Sequence, residues 1–246
     1  MLKTERMDRV RAALRAQGLT QMIVCDPKSV WYLTGVAVEP YERLLALYLP
    51  TEGEPVLFLN RLFNVPEPPC RTVWHTDTDK PVAQIAEVVD AGRLLGIDKE
   101  WPAKFLIPLM ETHPGMHVVL SSDCVDDCRA CKDTEEQALM REASRINDAV
   151  NEAAKHYIKA GMTEREVAEF IDAQFRAHGC EGPSFTTIVS FGANAADPHH
   201  EPDDTVLKEG DCVLFDMGCV KSRYCSDMTR TWFCGQPTEK QAAVHD

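Results

Sequence analysis

Residues 211–233 read DCVLFDMGCVKSRYCSDMTRTWF, in which two apolar segments flank a polar turn. This pattern predicts two antiparallel strands joined as a hairpin. We take the hairpin to be centred between Lys221 and Ser222. Asp216 then lies directly opposite Asp227, on the same face of the sheet. Cβ atoms in such a pair are about 4.5–5.5 Å apart, and like charges at that spacing destabilise a sheet.

A bound cation would remove this repulsion. Both carboxylates are flanked by apolar residues, where an uncompensated charge is costly. One or two divalent ions could accept oxygen ligands from both strands. Two alternatives stay open at this point. Asp216 could cap the turn at Gly218, and Asp227 could pair with Arg223 or with Arg230.

Two amphipathic helices precede the hairpin. Each begins with a capping-box pattern, in which the N-cap residue is followed three positions later by glutamate, and each ends at a glycine. The two patterns are Asp133 with Glu136 and Thr163 with Glu166. From Pro183 onward the sequence predicts strands, and therefore an antiparallel sheet behind two helices. A short capped helix is predicted from Pro237 to Asp246.

The first 125 residues alternate helix and strand patterns, which favours an α/β unit. Met7, Val10 and Leu14 have helical spacing, and TQMIVC at residues 20–25 is typical of a buried strand. Two apolar runs around a glycine-containing turn predict a hairpin at residues 43–60. The elements predicted after it are helix 82–89, strand 94–98, helix 102–110 and strand 117–122.

The composition excludes several classes of protein. The chain has 246 residues, with 26 Lys and Arg against 39 Asp and Glu, and a formal net charge of −13. This charge has the wrong sign for a nucleic-acid partner. No apolar run approaches the roughly 18 residues of a membrane-spanning helix. Residues 1–10 lack the features of a signal peptide, and we expect a cytoplasmic protein without a membrane partner.

The ten cysteines are expected to be reduced thiols. Several, such as Cys25 and Cys212, lie in apolar runs, where free cysteine behaves as a small buried hydrophobic residue. Cys124, Cys128 and Cys131 have C-x3-C-x2-C spacing, which radical-SAM iron–sulfur motifs share. Short cysteine spacings recur by chance in a cysteine-rich chain, and we do not interpret this one as a cluster site.

A set of spaced motifs covers residues 185–237. They are the TIV strand with Gly192 and Asn194, Pro198–His199, L-x-x-G-D at 207–211, D-x-G at 216–218, and Y-x-S-D-x-T-R-T at 224–231. In these motifs the chain resembles the Xaa-Pro peptidases, the prolidase and aminopeptidase P group of the creatinase/methionine aminopeptidase superfamily. The front of the chain is similar to that family's amino-terminal domain through RMDRVRAALRAQGL (6–19), WYLTG (31–35) and EGEPVLFL (52–59).

The resemblance implies two domains. The first is an α/β amino-terminal creatinase-like domain at residues 1–125, followed by a linker at 126–132. Residues 133–246 then form the first part of an α+β pita-bread metallopeptidase domain. The resemblance also implies a homodimer.

A dinuclear metal centre, with manganese or cobalt, is implied as well. In that family two Asp, one His and two Glu bind the ions, and Asp216 and Asp227 match the two Asp. His199 matches the family histidine that lies near the substrate and is not a metal ligand. We expect its neighbour His200 to be a solvated loop residue.

The chain departs from the family pattern after Asp227, because no later residue fits the family's His and two Glu ligands. We therefore expect that the natural protein continues past Asp246, that the catalytic domain is incomplete here, and that the chain by itself is inactive. Two carboxylates alone hold a divalent ion weakly.

The reaction implied is metal-dependent hydrolysis of the bond between an amino-terminal residue and proline, in a dipeptide or a longer peptide. A proline-containing peptide is then the substrate. The alternative function is a non-catalytic creatinase-fold module that binds peptides or dimerises.

Overall fold

The computed structural model describes residues 2–245. The chain divides into two compact units, Met1–Cys131 and Lys132–Asp246. Within the predicted linker, residues 126–130 belong to a helix of the first unit, and Cys128 in that helix is buried in the core of the same unit. The division therefore falls at the end of this helix.

The first unit contains a six-stranded sheet with the strand order β4-β3-β2-β1-β5-β6. Its strands are β1 (Gln21–Val24), β2 (Ala46–Pro50), β3 (Val56–Asn60), β4 (Arg71–His75), β5 (Leu95–Ile97) and β6 (Val118–Leu120). Strand β2 is antiparallel to both of its neighbours, and the other pairs are parallel. The carboxyl ends of β1, β3, β4, β5 and β6 therefore lie at one edge of the sheet.

Helices cover both faces of this sheet. They are α1 (Thr4–Ala16), α2 (Pro27–Thr34), α3 (Pro81–Ala86), α4 (Ala103–Thr112) and α5 (Asp123–Ala130). Helices α1, α2 and α5 contribute to one apolar cluster, whereas α3 and α4 contribute to a second. In β1, Met22 and Val24 belong to the first cluster and Ile23 to the second. Alternate strand residues thus fill opposite cores, as expected for a doubly covered sheet.

The sequence predicted most of these elements but missed α2, β4 and α5. Helix α2 is short and contains Val30, Trp31 and Tyr32, residue types with little helix propensity. Its start is set by Asp26, whose carboxylate accepts a hydrogen bond from the Ser29 N–H at 2.8 Å. Strand β4 is mostly half-buried, and α5 is strongly acidic in its first turn. Neither segment therefore shows the regular spacing of apolar residues that predicts a strand or a helix.

The cysteines are free, as predicted from the sequence. Cys124 and Cys128 lie on α5 with their side chains in the first core, so they are packing residues of the first unit. Burial raises the pKa of the Cys124 thiol to about 11 and also raises that of Cys128. Protonated, buried thiols are poor metal ligands, which argues against an iron–sulfur role.

The second unit begins with the two predicted helices, α6 (Thr134–Tyr157) and α7 (Glu164–Ala177). Both capping boxes are confirmed. The Asp133 carboxylate accepts from the Glu136 N–H at 2.9 Å, and the Thr163 hydroxyl accepts from the Glu166 N–H at 3.2 Å. Each such cap stabilises its helix by about 1 kcal/mol.

The antiparallel strands form two small sheets instead of one. The strands are β7 (Gly182–Pro183), β8 (Ile188–Phe191), β9 (Cys212–Met217), β10 (Cys219–Lys221), β11 (Tyr224–Cys225) and β12 (Met228–Phe233). Their orders are β12-β9-β8 and β11-β10-β7. Val213, Phe215 and Met217 are buried with residues of α6 and α7, whereas Leu214 and Asp216 alternate to the other face and are half-buried.

The predicted terminal helix is α8 (Glu239–His245). Thr238 precedes it and its hydroxyl accepts a hydrogen bond from the Gln241 N–H at 3.2 Å. Asp246, the predicted end of this helix, lies outside the described residues. No helix within residues 2–245 combines the length and the apolar character needed to cross a bilayer.

Candidate functional site

The turn that carries the two candidate metal ligands is centred one residue later than the sequence predicted. Lys221 pairs with Tyr224, which leaves Ser222 and Arg223 as a two-residue turn. Their φ angles are 49° and 67°, and positive φ at both central residues is what a type I′ hairpin turn requires. The predicted centre was wrong because the turn lacks the Asn-Gly or Asp-Gly pair that usually marks this geometry.

The corrected register changes how the two carboxylates face each other. Thr229, not Asp227, is the strand partner of Asp216. The same register, continued toward the turn, places Asp227 level with Gly218. Asp216 and Asp227 are therefore diagonal neighbours, and the two-residue period of extended backbone assigns Asp227 and Thr229 to one face. Diagonal positions are about 7–8 Å apart, so the two charges repel less than a direct pair.

Gly218 is required by the close approach of two segments. A Cβ atom at this position would lie 2.0 Å from the Ser226 carbonyl oxygen and 2.3 Å from Ser184 Oγ. The Gly218 carbonyl in turn accepts a hydrogen bond from the Ser184 N–H at 3.0 Å. The D-x-G spacing thus keeps Asp216 beside the junction where the chain passes from one small sheet to the other.

Both candidate metal ligands are open to solvent. Asp216 is half-buried, and its Oδ1 accepts a hydrogen bond from the Thr229 hydroxyl at 2.9 Å. Asp227 is exposed and forms no hydrogen bond or ion pair with any residue in 2–245. The apolar setting predicted for both groups was wrong, because Phe215 and Met217 face the helices while Asp216 alternates to the other side.

The alternative roles considered for these carboxylates are not formed among the described residues. Asp216 bonds to Thr229 rather than capping the turn at Gly218. Arg230 donates through Nη1 to the Thr229 carbonyl at 2.8 Å and does not pair with Asp227. The carboxylate oxygens of Asp227 therefore accept no hydrogen bond from the described residues, and their lone pairs are available to a ligand. Carboxylate oxygens are the ligands that hard divalent cations prefer.

His199 lies in the segment that follows the 3₁₀ turn Gly192–Ala196. Its side chain is exposed, and its backbone N–H donates to Asp197 Oδ1 at 3.0 Å. The His200 N–H donates to the Asp197 carbonyl at 3.3 Å. Asp197 thus fixes the backbone on both sides of the His199 Cα, and the imidazole ring has no hydrogen-bond partner among the described residues.

Glu164, at the start of α7, anchors this segment and was missed by the sequence analysis. The residue is fully buried. Its Oε1 accepts from the Phe191 N–H at 2.7 Å and from Asn194 Nδ2 at 3.0 Å. Its Oε2 contacts His200 Nε2 at 2.7 Å and accepts from the Asp203 N–H at 3.2 Å. Four donors on one carboxylate compensate for its loss of water.

His200 is not the solvated loop residue that the sequence predicted. Its side chain is 15% exposed and lies against the Glu164 carboxylate. An ionised carboxylate only accepts hydrogen bonds, so His200 carries a hydrogen on Nε2. The prediction failed because the segment folds back onto the first turn of α7, a long-range contact that no local pattern indicates.

Glu164, His200 and Asp203 place possible metal-ligand atoms within 4.8 Å of one another. Their hydrogen bonds argue against an ion there. The Glu164 oxygens already accept four hydrogen bonds, and Asp203 Oδ1 accepts from the Thr205 N–H at 2.7 Å. Hydrogen bonds from Thr205 also lower the pKa of Asp203. A cation would have to displace several of these donors, so the group is suited to anchoring the His199 segment.

Two family matches cover nearly the whole chain. Residues 6–131 match the creatinase/prolidase N-terminal domain, and residues 138–246 match metallopeptidase family M24. The chain belongs to the Xaa-Pro peptidase family of the M24 metallopeptidases. The family prediction is therefore confirmed, and so is the predicted fold class, a creatinase-like domain followed by an M24 pita-bread domain.

Curated relatives of this M24 peptidase include bacterial proteins. An uncharacterized peptidase of Staphylococcus epidermidis is 30% identical over 241 residues, which are 96% of this chain and 68% of that protein. An uncharacterized peptidase of Staphylococcus aureus is 33% identical over 232 residues, 91% of this chain and 64% of that protein. The chain thus spans about two thirds of the length of these relatives.

Solved structures of prolidases and dipeptidases share the fold. The prolidase from Thermococcus sibiricus superposes with a TM-score of 0.91 at 29% identity, covering 100% of this chain and 69% of that one. The dipeptidase PepE from Mycobacterium ulcerans superposes with a TM-score of 0.88 at 29% identity, covering 98% of this chain and 67% of that one.

Proposed function

We propose that this M24 peptidase is metal-dependent and hydrolyses the bond between an amino-terminal residue and proline. The observation that carries the proposal is the diagonal placement of Asp216 and Asp227 on one face of the hairpin, with carboxylates that make almost no internal contacts. The names of the similar solved structures, prolidase and dipeptidase, support the choice of substrate.

Asp216 and Asp227 are proposed to hold two divalent cations, with manganese and cobalt as the candidates. The free Asp227 carboxylate and the second oxygen of Asp216 fit such ions. Bound divalent cations activate a water for attack and polarise the substrate carbonyl. Within residues 2–245 no third His, Cys, Asp or Glu ligand joins these two within 4.8 Å. Further ligands are therefore needed, and we expect these 246 residues to be inactive by themselves.

His199 is proposed to contact the peptide. Its ring is exposed and free of internal partners, while its backbone is held by Asp197 and the following residue is anchored to Glu164. Such a group can donate a hydrogen bond to the substrate without first breaking a contact within the protein. The homodimer and the cytoplasmic location remain predictions.

The test is the manganese-supported hydrolysis of leucyl-proline and of a longer Xaa-Pro peptide by the protein as its gene encodes it. Asp227→Asn removes the charge of one proposed ligand while keeping its shape. We expect kcat to fall by more than the roughly 10–100-fold that loss of an outer-shell partner costs. Asp148→Asn, at an exposed position on α6, is the matched control and should leave kcat unchanged.

An Asp227→Asn protein that retains full activity would exclude Asp227 as a metal ligand. If the unsubstituted protein cleaves neither peptide with manganese or cobalt, the non-catalytic alternative, a creatinase-fold module that binds peptides or dimerises, replaces the enzyme. Comparison of the two substrates then shows whether a dipeptide or a longer chain is preferred.

A further inference from the structure

A polar cavity of about 410 Å³ lies in the first unit, at the carboxyl ends of β1, β5 and β6. Strands β1 and β5 are parallel neighbours. The helix that follows β1 packs in the first apolar cluster, whereas the helix that follows β5 packs in the second. The chain therefore leaves these two strands toward opposite faces of the sheet. Open α/β sheets bind their ligands at such a topological switch point.

Asp98 builds the floor of this cavity. It is 5% exposed, and its Oδ2 accepts from the N–H groups of Cys25 and Asp26, both at 3.1 Å. Its Oδ1 accepts from the Glu100 N–H at 3.1 Å and from the Ser122 hydroxyl at 3.4 Å. The carboxylate thus ties together the ends of the three strands and has no capacity left for a ligand.

Arg129 contributes an unused hydrogen-bonding edge. Its Nη1 donates to Asp26 Oδ2 at 3.2 Å and to Ser29 Oγ at 3.0 Å, and lies 3.9 Å from Asp126 Oδ1. Its Nε and Nη2 have no partner among the described residues. The Nε–Nη2 edge of a guanidinium is the fork that holds a carboxylate through two parallel hydrogen bonds.

Two further charges at the cavity wall are unpaired within residues 2–245. Lys28 and Glu100 are both exposed, and neither side chain has a hydrogen bond or ion pair. Asp126 is already paired with Lys99, so the carboxylate that a simple anion bound at Arg129 would still meet without an internal partner is that of Glu100. A ligand that carries a positive group beside its carboxylate turns this repulsion into attraction.

We propose that this cavity binds a free α-amino acid in its zwitterionic form. The α-carboxylate is held by the Nε–Nη2 edge of Arg129, with Lys28 as the second cation. The α-ammonium group faces Glu100, since Asp126 is already held by Lys99. The volume lies within the roughly 300–1,000 Å³ of small-molecule sites. The proposal does not depend on the proposed peptidase activity, although free amino acids are the products of such an enzyme.

Isothermal titration calorimetry in EDTA tests the proposal with four probes. L-Leucine carries both charges, 4-methylpentanoate lacks the ammonium group, 3-methylbutylamine lacks the carboxylate, and inorganic phosphate is an anion of another shape. We expect L-leucine to bind, and each of the other probes to bind at least about tenfold more weakly, a step of about 1.4 kcal/mol. Equal binding of 4-methylpentanoate or phosphate would overturn the zwitterion site, and so would no binding of L-leucine.

Variants locate the binding. Arg129→Gln should weaken L-leucine binding at least tenfold. Arg93→Gln, an exposed arginine outside the cavity, should not. Arg129→Gln also removes the ion pair with Asp26. Glu100→Gln is therefore the second test, because Glu100 is exposed and its substitution breaks no bond within residues 2–245. Asp227→Asn should leave the affinity unchanged, which separates this cavity from the proposed peptidase site. Unaltered binding by folded Arg129→Gln and Glu100→Gln proteins would exclude this location.

Discussion

A single carboxylate, that of Glu164, fixes four points of the segment that presents His199. Two of its donors are backbone N–H groups, at Phe191 and Asp203, and two are side chains, those of Asn194 and His200. Because Glu164 and Phe191 are both buried, loss of the carboxylate would leave the Phe191 N–H without its acceptor and would remove one partner from each of the other three donors. The geometry of the segment therefore depends on one residue that lies outside it.

Glu164→Gln should destabilise the protein by about 2–4 kcal/mol, because the amide keeps one acceptor oxygen and places an NH2 group against two donors. Urea unfolding measures this loss. Hydrogen exchange should also accelerate in residues 191–205 while the rest of α7 stays protected. Glu169→Gln, exposed on the same helix, is the control and should change neither quantity. An unchanged exchange rate in the segment would show that Glu164 does not anchor it.

His199→Ala should lower kcat/KM for leucyl-proline by about 10²-fold or more, the contribution typical of a positioned hydrogen-bonding or proton-transfer group. Its ring is exposed and unpartnered, so the free energy of unfolding should stay within about 0.5 kcal/mol of the original. His117→Ala, another exposed histidine, should change neither quantity. A loss of activity that accompanies a loss of stability would point to a structural role for His199 instead.

The sequence suggested the residues of the proposed site but not their environment. Asp216, Asp227 and His199 could be proposed because the D-x-G, S-D-x-T and Pro-His motifs are local. The contact of His200 with the Glu164 carboxylate could not be predicted, because Glu164 lies 36 positions earlier in the chain. Burial was also misjudged, because a strand among apolar residues still turns every second side chain away from the core.

Among the elements, the long helices were the easiest to predict and the hairpin register was the hardest. Capping boxes are read directly from the residue types at two positions, and both formed as predicted. The turn at Ser222 and Arg223 adopts positive φ angles with residues that carry no such signal. A shift of its centre by one residue moves every cross-strand pair by two positions, which is why Asp216 faces Thr229.

Ser222 should respond to substitution according to its left-handed backbone. Glycine adopts positive φ without the steric cost of a Cβ atom, a cost of about 1–2 kcal/mol per residue. We therefore expect Ser222→Gly to be more stable than Ser222→Ala by about 1 kcal/mol, measured by urea unfolding. Comparing two variants at one site cancels the loss of the hydroxyl. Equal stability of the two variants would contradict the positive φ of 49°.

On the scale of the whole molecule, each compact unit contains its own apolar core. The two clusters of the first unit draw only on residues before Cys131, and the cluster of the second unit runs from Ala143 to Cys234. A segment of about 130 residues can bury enough surface to fold alone. Helix α5 belongs to the first of these cores, although the sequence predicted that its second half was a linker.

A fragment of residues 1–131 should therefore unfold cooperatively in urea, with the circular dichroism of a folded α/β domain. A fragment that stops at residue 125, the predicted domain boundary, lacks Cys128, whose carbonyl accepts from Arg9 at 2.9 Å and from the Tyr32 hydroxyl at 3.2 Å. It also lacks the ion pair of Arg129 with Asp26. We expect the shorter fragment to be less stable by about 2–4 kcal/mol. Equal stability of the two fragments would place the end of the first domain at residue 125. If the fragment 1–131 does not unfold cooperatively, its two apolar cores are not enough for it to fold alone.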